Sequence, residues 1–128
     1  MNKIIQRFDI KRHDTLPILA PSVKGFASNP DGSTVTFSMT KLNSTDLPIV
    51  LNGSCSPISG SILDIDPKSE FYNTWKCVLQ YPWQVGDTAV EGDYTGEFEV
   101  TLIGGKLTIP DIEHCELRIT VLPDINNT

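Results

Sequence analysis

The chain has little of what enzymes and metal-binding proteins are usually built around. It holds two histidines, His13 and His114, and three cysteines, Cys55, Cys77 and Cys115. An odd number of widely spaced cysteines matches neither a disulfide framework nor a zinc-binding pair, so buried free thiols packing as small hydrophobes are expected. Neither histidine has a second ligand at metal spacing or a positioned nucleophile beside it, and both are expected in surface or packing roles. No Gly-x-Ser-x-Gly elbow, no phosphate-cradling glycine loop ahead of a helix and no His-Glu-x-x-His occurs. These absences lead to the reading of a non-enzyme that needs no cofactor.

Basic charge is scarce too. Ten Lys/Arg against sixteen Asp/Glu leave a net charge of −6 and a pI of 4.7. No overall phosphate-neutralising surface exists, which argues against nucleic acid as a partner. No run approaches the roughly 20 apolar residues that span a bilayer, so no membrane partner is expected. The opening Met1–Asp9 is positive but lacks an apolar core of secretory length, and synthesis in the cytosol without a signal peptide is the expectation.

What the sequence does have is period-two alternation. With 128 residues and 39% apolar content, the chain is long enough for one buried core. Val35, Phe37 and Met39 alternate with threonines and Ser38 in Thr34–Leu42. Trp75, Cys77, Leu79 and Tyr81 share a side of Thr74–Tyr81. Tyr94, Phe98 and Val100 oppose Glu97 and Glu99 in Asp93–Leu102, and Leu117, Ile119 and Val121 alternate with Glu116, Arg118 and Thr120. Shorter candidate strands are Leu16–Leu19, Pro48–Leu51 and Lys106–Ile109. Between them stand turn signals at Asn29-Pro30-Asp31-Gly32, Asn52-Gly53, Gly86-Asp87 and Gly104-Gly105, the last suiting a tight hairpin. A single helical turn is expected in Asp66–Asn73, with Asp66 as cap and Pro67 at the first position. About seven short strands so punctuated predict an all-β, immunoglobulin-like antiparallel sandwich. Residues 1–12 read as an N-terminal arm or first edge strand, 13–122 as the sandwich, and 123–128 as a tail.

Several clusters invite a chemical reading. Asp87, Glu91 and Asp93 lie close in sequence but match no calcium-loop spacing, so Gly86, Asp87, Thr88, Gly92 and Asp93 are expected to build a structural turn. Asp64, Asp66 and Glu70 read as solvated loop carboxylates. Trp75, Tyr81, Trp83 and Tyr94 suit core and corner packing, with a carbohydrate-stacking platform as the alternative. Residues 1–50 carry six Lys/Arg against four Asp/Glu, and residues 51–128 four against twelve. That asymmetry suits head-to-tail protein docking. On charge alone, the interface candidates are Lys3, Arg7, Lys11 and Arg12 on one side and Glu97, Glu99, Glu113 and Glu116 on the other.

An ordered set of short motifs runs from about Asp9 to Val121. It comprises His13-Asp14-Thr15-Leu16-Pro17, Val35-Thr36-Phe37-Ser38-Met39, Tyr81-Pro82-Trp83 followed by Gly86-Asp87-Thr88-Ala89 and Gly92-Asp93-Tyr94, then Phe98-Glu99-Val100-Thr101, Gly105-Lys106 and Ile109-Pro110. The set resembles the N-terminal domain of tailed-phage baseplate upper proteins, with His13 standing where that family commonly has glycine. The resemblance implies an immunoglobulin-like β-sandwich that works as a non-enzymatic virion component of a tailed bacteriophage, in tail, baseplate or neck. Its implied partners are other virion proteins in a multi-copy symmetric assembly. Family members continue into a helical portion that holds receptor-binding proteins. A sandwich alone implies a connector, a capsid decoration subunit or a fibre anchor, with a carbohydrate-binding module for host attachment as the competing function.

Overall fold

Alternation decides which side of each strand meets the core. In β3 (Thr34–Lys41) Val35, Phe37 and Met39 are buried while the hydroxyl residues between them face outward. The same rule holds in β7 (Gly92–Leu102), where Tyr94, Phe98 and Val100 point inward, and in β9 (Cys115–Leu122), where Leu117, Ile119 and Val121 do. The computed structural model describes residues 4–110 and 115–123. The remaining strands are β1 (Ile4–Lys11), β2 (Ser22–Phe26), β4 (Val50–Ser54), β5 (Ile62–Leu63), β6 (Trp75–Val78) and β8 (Gly105–Ile109).

Two sheets result. The larger runs β1-β9-β7-β3-β4, with β8 also paired to β7; the smaller runs β2-β6-β5. Strand β7 is long enough to pair β9 through Gly92–Gly96 and β8 through Phe98–Leu102. The expected tight hairpin at Gly104-Gly105 is there, with Leu102 paired to Gly105. Leu19, Phe26, Cys77 and Leu79 from the small-sheet side pack with the inward residues of the large sheet into one core.

The fold is the expected all-β sandwich, with four corrections to its detail. There are nine strands among the described residues, and one pair is parallel: β1 runs alongside β9 from Ile4↔Cys115 to Lys11↔Leu122. Alternation carries no information about strand direction, so the sequence pattern is silent on this parallel pair. The segment Leu16–Leu19 contributes only an isolated bridge, Leu19 to Tyr81. Asp66–Asn73 forms successive turns rather than a helix. Its bonds, Ser69 N–H to the Asp66 carbonyl and Tyr72 N–H to that of Ser69, all close over three residues.

An immunoglobulin-type corner precedes β7. The buried Tyr94 donates its hydroxyl to the Val90 carbonyl at 2.6 Å, pinning the turn to the strand that follows it. Two residues on, where antibody domains carry a disulfide cysteine, stands Gly96. A Cβ there would lie 2.7 Å from both Phe37 Cε1 and Ile119 Cδ1, so the Phe37 ring occupies the space that a side chain would need.

Candidate docking surfaces

Several side-chain hydrogen bonds hold the corner between β6 and β7. Asp87 Oδ2 accepts the Tyr81 hydroxyl and the Gln84 N–H, while Thr88, 2% exposed, donates its hydroxyl to the Asp14 carbonyl. His13, at φ 70, donates its N–H to the Thr88 carbonyl, so this corner also clamps the loop after β1. Gly86 and Gly92 adopt φ of 97 and 140, and Asp93 accepts the Thr120 hydroxyl at 2.7 Å. Gly86, Asp87 and Thr88 therefore build this corner, while Gly92 and Asp93 open β7 against β9. Asp87 and Asp93 give carboxylate oxygens to different partners.

Asp64 organises the other acidic loop. It accepts the Ser69 hydroxyl at 2.6 Å and the Asp66 N–H at 3.0 Å, and the Ser69 bond leads the causes that hold its carboxyl below the usual range. Burial pushes both described thiols up: Cys55 to about 12, and Cys77, which is buried, in the same direction. His114 lies outside the described residues, as does the side chain of Cys115.

Three of the four aromatic candidates are core residues, and the fourth, Trp75, is half-buried against the core. Tyr81, Trp83 and Tyr94 are buried, and Trp83 sits edge-on to Tyr81 and Phe37 with ring centroids 5.4 and 6.0 Å away. Alternation brings these rings into the core, so the carbohydrate alternative loses the Trp83 face on which it was built.

Five of the eight charged candidates gather on one face. Arg7 and Lys11 are exposed on β1, Glu97 and Glu99 line β7, and Glu116 lies on β9, all facing away from the core of the large sheet. Glu99 pairs with Lys106 at 3.3 Å, and Glu116 with Arg118. Arg12 follows β1, half-buried, with its Nε enclosed and no partner among the described residues. Lys3 and Glu113 lie outside the described residues. The basic strand lies beside the acidic ones on a shared face rather than on an opposite side of the molecule.

The sheet edges differ sharply in how they are protected, and sequence reading did not separate them. Strand β2 begins after Pro21, carries the exposed Lys24 and is broken by a register shift at Gly25. Strand β4 has a register shift against β3 and a left-handed Asn52. Strand β5 has two residues. These are the devices that blunt an edge against pairing. Strand β1 carries the exposed charges Arg7, Asp9 and Lys11 but nothing that interrupts its backbone: it is eight residues long, without proline, glycine or bulge, and pairs β9 in unbroken register. Arg12 N–H bonds the Leu122 carbonyl, so even-numbered residues of β1 direct their backbone groups to β9 and odd-numbered ones to the open side. Arg7 and Asp9 thus present N–H and C=O groups outward, with no strand partner among the described residues. At Lys11 the carbonyl is already taken by Asp14 N–H.

No family model, no curated protein and no solved structure matches this chain.

Proposed function

We propose that this protein is a non-enzymatic structural subunit whose sandwich docks onto neighbouring subunits, carried in the virion of a tailed bacteriophage as a tail, baseplate or neck connector. The observation that supports docking is the open edge of β1. An eight-residue strand with no bulge, proline or glycine is the kind of edge that soluble proteins normally protect, whereas β2 and β4 are interrupted by register shifts and β5 has only two residues. Such an edge completes itself by taking a strand from a neighbour, with main-chain hydrogen bonds giving affinity and flanking side chains giving register. The virion assignment rests on the family resemblance of the ordered motifs.

The test is physical association with particles. Purified virions of the phage that encodes the chain, banded in a density gradient and analysed by quantitative mass spectrometry, are expected to contain it in fixed stoichiometry. Its absence from particles, with free protein remaining at the top of the gradient, would overturn the virion reading.

A further inference from the structure

We infer that two copies of this chain join through their β1 edges in antiparallel register about Phe8, pairing Arg7 of each copy with Asp9 of the other. The inference rests on the docking reading above and names the partner as a second copy.

The register follows from which groups face the open side. Arg7 and Asp9 are both odd-numbered, so both aim backbone N–H and C=O groups outward, and both side chains are exposed on the outer face. In an antiparallel pair, residues that exchange two N–H···O bonds stand directly opposite one another. Placing Arg7 opposite Asp9 of the second copy satisfies this condition twice by symmetry. Phe8 then faces Phe8 at the two-fold axis in a non-hydrogen-bonded position, where side chains come closest. A two-fold interface is self-complementary and closes without leaving a growing edge.

Charge selects this register over its neighbours. Centring on Asp9 would set the two Asp9 carboxylates against each other and Arg7 against Lys11, both repulsive. Centring on Phe8 gives two opposite-charge pairs. Within its own sheet Arg7 has Arg118 as cross-strand neighbour and Asp9 has Thr120, so neither finds an opposite charge directly across. The open side is where that charge is complemented. Two large sheets would merge into one continuous sheet, with the two small sheets covering it on the same side of each sandwich.

The experiment is a charge swap on the full chain, read by sedimentation velocity and light scattering at about 50 mM and about 1 M salt, where the screening length falls from above 10 Å to about 3 Å. The wild type is expected to form a dimer that weakens at high salt. Arg7→Asp alone and Asp9→Arg alone each turn two attractive contacts into two repulsive ones, and each is expected to weaken the dimer at least about tenfold. The combined Arg7→Asp/Asp9→Arg variant is expected to recover to within about threefold of wild type. Unchanged urea midpoints would confirm that these exposed substitutions leave the fold intact. A wild type that stays monomeric at every salt concentration, or a combined variant no better than the singles, would overturn the inference. A chain that is monomeric yet present in particles sinks this dimer and keeps the virion reading; a dimer absent from particles does the reverse.

Discussion

The hydroxyl of Tyr81 reaches Oδ2 of Asp87 at 2.5 Å, and the same oxygen accepts the Gln84 N–H at 2.8 Å. Tyr81 is 1% exposed, so its hydroxyl has no water to turn to and the corner is held by one carboxylate oxygen. Removing the acceptor is worse than removing the donor, because a buried hydroxyl is then left without a partner.

Asp87→Ala is therefore expected to cost about 2–3 kcal/mol and Tyr81→Phe about 1 kcal/mol in urea unfolding. The double variant should lose less than the sum, since the two share one bond. Equal and additive losses would mean that the bond holds nothing.

Gly96→Ala tests the packing over β7. The added methyl would meet the Phe37 ring and Ile119 at 2.7 Å inside a core where both are fully buried. Overpacking of this kind costs about 1–3 kcal/mol. Adding Phe37→Leu to Gly96→Ala should cost less than Phe37→Leu costs on its own background, because the smaller side chain makes room.

Much of this fold is legible in the sequence, and the parts that are not share a cause. Thr34–Leu42 and Asp93–Leu102 announce themselves because one face of each is buried along its whole length. The gap in the second pattern at Gly96 is filled from elsewhere, by Phe37 and Ile119. Strand β2 escaped notice because Lys24 and Gly25 interrupt it, and β5 because two residues make no period. Tyr94 fills the core and corner role its aromatic character suggests, and its bond to Val90 lies in the spacing Val90-Glu91-Gly92-Asp93-Tyr94-Thr95-Gly96, with glycine at the position usually marked by cysteine. The open edge of β1 is invisible to any one-dimensional reading, since an edge is defined by which strands are not beside it.

Alkaline pH should destabilise the protein earlier than its acidic composition suggests. Burial leads the causes that raise Tyr81 and Tyr94 above their ordinary 10.0 and carry Cys55 to about 12. These groups stay protonated in the folded chain where the unfolded chain has already released its protons. Their contribution is complete below about pH 9 and is lost as pH climbs from there toward the folded values. Tyr81 alone gives a slope of up to about 1.4 kcal/mol per pH unit above pH 10. Urea midpoints taken from pH 8 to 11 should fall, and Tyr94→Phe should flatten the decline; a level profile would contradict the assignment.

The thiols give an independent check. In a Cys115→Ser background at pH 8, Cys55 and Cys77 should react with an aromatic disulfide reagent at least about tenfold more slowly in the native protein than in urea, because the thiolate is the reactive form. Fast native labelling of either would show that its burial is not maintained in solution.

The central claim is that β1 is an edge awaiting a strand, and residue-resolved amide hydrogen exchange addresses it most directly. At about 1 M salt, Phe8 and Ile10 should be protected by β9 while Arg7 and Asp9 exchange rapidly. At about 50 mM salt, in the associated state, Arg7 and Asp9 should become protected as well, giving an unbroken run along the strand. Rapid exchange at Arg7 and Asp9 under both conditions, in a sample shown to be associated, would place the contact on another surface and contradict the account.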